Sequence, residues 1–206
     1  MKLWFSQGAW ANKHAARILD QVQPETVTSI AVIRHAALGD MVLTRPFLHE
    51  LRKAFPNARI TLSVVSNYMI GVPNDLVDQV HVLAGKDKKK KSWREQFRAL
   101  KTLGEHDLIF DLAATSRSFW LCLLNKARLK IGFPYRASQR GFIFDIAIYR
   151  SELHFEADIL LDMLKLIGIK TESPLRFGMA KIELADEIFS GRYICYFTSA
   201  SLALKC

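Results

Sequence analysis

The sequence predicts an α/β protein: a Rossmann-like parallel sheet with helices on both faces. Three observations carry that expectation. The stretch from Ser29 to Val65 reads as strand, loop, helix, strand, the opening unit of such a sheet. Short apolar runs then keep alternating with segments of helical period as far as Ile167. Half of the 206 residues are hydrophobic, enough to bury a sizeable core.

Residues 1–28 read as a helical extension, with Trp4, Phe5 and Trp10 ahead of Lys13, His14 and Arg17. The apolar start is interrupted at Ser6 and Gln7, unlike a secretory signal peptide. A surface helix and a helix lying on a membrane both fit that pattern. Ile30, Val32 and Ile33 form the first strand, apolar throughout as in a strand covered on both faces. The loop 35–39 leads to Asp40, where the next helix should begin. Met41 to Phe55 has helical spacing, and Pro46 predicts a break and restart near Thr44. Pro56-Asn57 ends the helix, and Arg59 to Val65 is the next strand.

Asn67 to Asp78 reads as a short helix or irregular connection, and Gln79 to Leu83 as a third strand. A lysine run follows and enters a helix from Trp93 to about Leu103, whose Trp93, Phe97 and Leu100 are expected on the core face. Asp107 to Leu112 is a fourth strand with Asp111 at its carboxyl end. Ser116 to Ala127 is an apolar helix, and Leu129 to Phe133 a fifth strand. Tyr135 to Gly141 is a polar loop holding Arg136 and Arg140. Phe142 to Tyr149 fits strand and helix equally. Phe155 to Ile167 is an amphipathic helix stopped by Gly168. The sheet domain is thus expected over 29–170, a linker over 171–192, and the first strand of a second, truncated domain over 193–206, with Tyr193 to Thr198 as that strand.

The net charge of +9 points to an anionic partner, and it is local. Lys86 to Lys101 holds eight basic side chains against Asp87 and Glu95, which is six of the nine net charges. Nucleic acid would use such charges too, but no recognised nucleic-acid motif accompanies them. Cys122, Cys195 and Cys206 show no metal-ligand spacing, and Cys122 and Cys195 read as small buried hydrophobes in a reducing compartment. The first strand-to-helix loop has a single glycine, Gly39, too few for a dinucleotide fingerprint. No P-loop, serine elbow or HExxH is present, and no paired aspartates of the metal-binding kind. No run is long enough for a membrane span. Asp40 follows a strand in a loop where α/β ligands bind, and it reads equally as a helix N-cap.

GDMVLTRPFLHELRKAFPNARITLSV resembles the opening of glycosyltransferase family 9, the ADP-heptose:lipopolysaccharide heptosyltransferases. DLIFDLAATSRS, RLKIGFPY, LHFEADILLDMLKLIGI and TSASLALK match further pieces in the same order, covering roughly Ser29 to Lys205. The resemblance implies the N-terminal half of a GT-B glycosyltransferase, with inverting, metal-independent chemistry and no cofactor beyond a nucleotide-sugar donor, ADP-heptose favoured. It implies Asp40 as general base taking a proton from the acceptor hydroxyl. Gly39, Thr44, Asp111 and Arg117 match substrate-site positions, although Asp111 and Arg117 also fit a role in ordering the strand–helix turn. Arg136 or Arg140 would contact an anionic group, the choice being open. Ser201 and Lys205 would bind donor phosphate. His154 matches a family histidine and reads as packing or capping. The implied partner is an anionic glycolipid acceptor and not nucleic acid, met in the cytoplasm or peripherally at the inner membrane. Two other classes stay in view: a truncated, non-catalytic module that holds such a glycolipid, and third, a basic nucleic-acid-binding protein. The family's order of pieces predicts that this chain folds through about Ile169 without transferring sugar alone.

Overall fold

A computed structural model of the chain describes the backbone of Trp4–Phe5 and residues 8–89, 92–134, 139, 141–179, 192 and 194. The described core is one eight-stranded sheet in the order β1-β2-β8-β7-β6-β3-β4-β5. The strands are β1 (Trp4–Phe5), β2 (Ala9–Ala11), β3 (Ser29–Ile33), β4 (Arg59–Val65), β5 (Gln79–Leu83), β6 (His106–Asp111), β7 (Ala127–Gly132) and β8 (Ile146–Ile148). β3 to β8 pair parallel with their neighbours, while β2 runs antiparallel to β8 and β1 antiparallel to β2.

The helices are α1 (Lys13–Ile18), α2 (Leu38–Leu43), α3 (Arg45–Ala54), α4 (Trp93–Leu100), α5 (Ser116–Leu124) and α6 (Glu156–Leu166). They cover both faces. Ile30 and Val32 of β3 pack with Phe47, Leu51, Leu160 and Leu164 from α3 and α6. Ala31 and Ile33, pointing to the opposite face, pack with Phe119, Leu121 and Phe144. This alternation is why β3 is apolar at every central position: it has no solvent face. Gly132 makes the second core possible, because a Cβ there would collide with the Phe144 ring.

The broken first helix occurs where Pro46 predicts it. α2 ends at Thr44, and α3 restarts with Arg45 and Pro46 in its first turn. Two expectations are corrected. Residues 1–28 are not a purely helical extension: β1 and β2 add antiparallel strands to the sheet, and Ala9 and Ala11 are buried against β8. Backbone pairing with an open sheet edge overrides the helical reading of that stretch. The second correction is on α4. Trp93 and Phe97 do not face the core, and no residue of α4 is fully buried. The segment 142–149, ambiguous by period, resolves as β8 because β7 offers it a parallel edge.

The connection after α6 is tied to α3. Lys53 pairs with Glu172, Arg176 sits 3.2 Å from Glu172, and Arg45 donates to the carbonyls of Phe177 (2.5 Å) and Gly178 (2.7 Å). The chain therefore runs back along α3 and reaches Met179 at the end of α3 where Thr44 lies. Of the expected strand 193–198 only Ile194 is described, exposed and outside any strand, and the rest of 193–206 lies outside the described residues.

Candidate functional site

β3 has β4 on one side and β6 on the other. Chain connections leave in opposite directions there, so the sheet opens a crevice at the carboxyl ends of β3 and β6, the place where such sheets bind ligands. Asp40 follows β3 into that crevice and Asp111 closes β6.

Asp40 is not the N-cap. α2 begins two residues earlier, at Leu38, with Ala37 in the cap position and no side-chain cap bond. Asp40 sits in the first helical turn with its side chain about half exposed. Its carboxylate lies 3.9 Å from Arg34. At Gly39 a Cβ would meet nothing within 4 Å, so the space above that turn is open. Thr44 is fully buried and donates its hydroxyl to the Asp40 carbonyl at 2.8 Å, fixing the turn rather than facing the crevice.

Arg34 is the hub that sequence reasoning missed. It is buried at 3% exposure, and donates to the Leu112 carbonyl at 2.8 Å and to the Glu156 carboxylate at 3.1 Å. Arg150 holds the other oxygen of Glu156 at 2.7 Å. Burial lowers the Arg34 pKa, and Glu156 and Asp40 oppose that shift. One guanidinium thus joins the ends of β3 and β6, α2 and the first turn of α6. Its sole sequence signal is a charge directly after an apolar strand.

Asp111 is buried completely and is occupied by its own turn. One oxygen accepts from the Ala113 and Ala114 amides (2.9 and 3.2 Å), the other from the Ser118 hydroxyl at 2.8 Å. These bonds hold Ala114 at φ +49°, a left-handed conformation rare for alanine. Of the two roles open to Asp111, the geometry supports ordering the turn. Burial raises its pKa to about 6 despite those hydrogen bonds. Arg117, on α5, donates to the Ala84 carbonyl at 3.1 Å and ties α5 to the loop after β5.

His35, near Arg117 and His81, has its Nε2 buried without a partner among the described residues. Burial first, then Arg117 and His81, push its pKa down to about 3, so the ring is neutral at pH 7. His154 is exposed, and Phe155 holds the N-cap position of α6, so His154 neither packs nor caps. Cys122 is buried in α5, and burial pushes its thiol pKa up. Arg136, Arg140, Ser201, Lys205, Cys195 and Cys206 lie outside the described residues. Beyond the crevice, Lys88, Lys89, Gln96 and Arg117 line a pocket of about 140 Å³. Among the described residues no three His, Cys, Asp or Glu side chains gather as a metal-binding group, and no helix is long and apolar enough to cross a membrane.

Parallel strands with a switch-point crevice, helices on both faces and one half-exposed carboxylate in that crevice define a Rossmann-like ligand-binding domain. Solved glycosyltransferases share its fold. A glycosyl transferase family 9 structure from Veillonella parvula DSM 2008 is similar with a TM-score of 0.58 and 23% identity, over 75% of this chain and 46% of that one. E. coli heptosyltransferase WaaC with ADP-2-deoxy-2-fluoro heptose is similar with a TM-score of 0.57 and 14% identity, over 71% and 50%. E. coli ADP-heptose lps heptosyltransferase II gives 0.53 and 15%, over 76% and 47%. The chain spans about half the length of these structures. No protein-family model and no curated protein matches it.

Proposed function

We propose that this chain is the acceptor-binding half of a family 9 type glycosyltransferase. The reaction moves a sugar, a heptose from ADP-heptose in the favoured case, onto a lipopolysaccharide-core or related glycan. The observation that carries the reading is Asp40: a carboxylate at the switch-point crevice, beside open space at Gly39 and oriented by a buried arginine. The matching solved structures include an enzyme holding an ADP-heptose analogue, which supports a nucleotide sugar as partner.

In this mechanism Asp40 accepts the proton of the acceptor hydroxyl as that oxygen attacks the anomeric carbon. The C–O bond to the nucleotide diphosphate breaks, the configuration inverts, and the diphosphate leaves with the bonding electrons. Arg34 does not touch substrate; it holds the backbone and carboxylate of Asp40 in place, which is how a base stays within hydrogen-bond reach. Arg136 or Arg140 serves the anionic group of the acceptor or donor, and Ser201 and Lys205 the donor phosphate. The enzyme works in the cytoplasm, in peripheral contact with the inner membrane that carries its glycolipid acceptor.

The test is a transfer assay with ADP-heptose and rough lipopolysaccharide. It is run on this chain and on this chain fused to the second half of a solved relative. Asp40→Asn should lower the turnover of whichever is active by roughly 10²–10⁴-fold, the usual contribution of a general base. Acceptor binding, read by calorimetry, should stay within about twofold. Turnover that survives the substitution would leave Asp40 as a partner of Arg34 only.

A further inference from the structure

α4 packs on the second core through Ala99 and Leu100 and leaves its aromatic residues outside. Ser92 caps it with a full capping box: its hydroxyl accepts from the Glu95 amide, and the Glu95 carboxylate accepts from the Ser92 amide at 2.9 Å. Its inner face rests on the core only through the half-buried Ala99 and Leu100, and no residue of the helix is fully buried. Its two aromatic side chains point outward, Trp93 at 73% exposure and Phe97 at 39%. Each carries a cation: Arg94 stands 5.3 Å from the Trp93 ring centroid, and the Lys101 ammonium 4.9 Å from that of Phe97. Lys88, Lys89 and Arg98 are exposed beside them.

The neighbouring loop adds aliphatic surface. The Ser66 hydroxyl donates to Asp87 at 2.5 Å and accepts from the Gly85 amide at 2.8 Å. That joins the loop after β4 to the loop leading into α4. The loop after β4 starts with a 3₁₀ turn, Ser66–Tyr68, and two residues beyond it stands Ile70, 77% exposed.

We infer that the outer face of α4, with the Ile70 loop, docks this protein onto an anionic phospholipid bilayer. Three features fit a bilayer together. Trp settles at the headgroup level, and Phe beside it dips into the headgroup/acyl boundary as on an interfacial helix. Arg94 and Lys101, with their charged heads over the rings, and Lys88, Lys89 and Arg98 beside them offer cations to lipid phosphates. The concentrated positive charge matches the negative surface potential of an anionic leaflet. An exposed isoleucine gains from acyl chains but has no π-face to stack on a base, so nucleic acid fits this surface less well. The inference rests on the reading above for its choice of a lipid partner, but vesicle binding needs no turnover, so either can fail alone.

The experiment is flotation of the 206-residue chain with phosphatidylglycerol/phosphatidylethanolamine vesicles and with phosphatidylcholine vesicles. The chain should float with the anionic vesicles only, and less as salt is raised. Trp93→Ser with Phe97→Ser should weaken partitioning at least tenfold at both low and high salt. Lys88→Ser with Lys89→Ser and Arg94→Ser should weaken it by a similar factor at low salt and flatten its salt dependence. Circular dichroism and urea midpoints verify that both variants fold. Equal flotation of the aromatic variant and the parent would overturn the inference. So would equal binding to both lipids, loss of flotation in millimolar inorganic phosphate, or tight binding to random-sequence DNA with none to vesicles.

Discussion

The centre of the sheet and its β5 edge use positive charge in opposite ways. At the centre one arginine, Arg34, is buried and every contact is specific: two carbonyls, one carboxylate at hydrogen-bond distance and a second 3.9 Å away. At the edge Lys88, Lys89, Arg94 and Arg98 stay exposed, and α4 is capped by Ser92 and touches the core only through Ala99 and Leu100. A buried cation is held to one geometry, because each polar partner it loses leaves an unpaired group in low dielectric. Exposed cations are screened and interchangeable, and act as a summed field. The centre therefore positions; the edge attracts.

The largest expected break lies at the centre. Arg34→Met leaves Glu156 half-paired and the Leu112 carbonyl without its donor, and should cost about 3–5 kcal/mol of stability in urea unfolding. Adding Glu156→Leu should recover part of that loss, since the stranded carboxylate is then gone. A double variant no better than the single would mean that Glu156 is satisfied by Arg150 alone.

Asp111 gives the next effect, through pH. Its folded pKa is raised, to about 6, so its contribution to stability is present below pH ~4 and lost as pH rises through about 6. A carboxyl raised that far above its ordinary range loses roughly 3 kcal/mol between those limits. Asn at this position keeps an oxygen for the two amides and offers an N–H₂ to Ser118. Asp111→Asn should therefore gain stability over the parent as pH rises from about 4.5 to about 7.5. A parent-minus-variant difference that does not change with pH would mean that Asp111 titrates in the ordinary carboxylate range.

The smallest effects belong to the edge. Ser92→Ala should cost about 1 kcal/mol by removing the cap of α4. Trp93→Ala should change stability by no more than about 0.5 kcal/mol, as exposed positions do. A loss of several kcal/mol at Trp93 would place it in a core and erase the contrast between the two regions.

Much of the scaffold was legible before any coordinates. β3, β4 and β6 fall where apolar runs mark them, because a strand buried on both faces cannot hide its composition, and β5, half-covered at the sheet edge, falls where alternation marks it. The break at Thr44 followed from Pro46, whose ring and missing N–H act locally. Other features were not legible, for identifiable reasons. Trp93 and Phe97 share a helical face by period, but period does not say whether anything covers that face. β1 and β2 form because a sheet edge is there to pair with, and no residue between Trp4 and Ala11 announces it.

The site divides along the same line. Sequence alone placed Asp40 beyond the carboxyl end of a parallel strand, since chain order through such a unit dictates which loops meet at the ligand end, and the strand order that makes this strand central came from the tertiary structure. It could not decide between cap and free carboxylate, because both use the same residue type at the same helix start. Tertiary structure decided that by starting α2 at Leu38 and setting the Asp40 carboxylate 3.9 Å from Arg34. It also chose between the two roles open to Asp111, enclosing it completely with three donors from its own turn. Arg34 and Glu156 are 122 positions apart, so their pairing has no local signature. Only the packing of α6 against α3, driven by apolar residues remote from the charges, brings that carboxylate to that arginine.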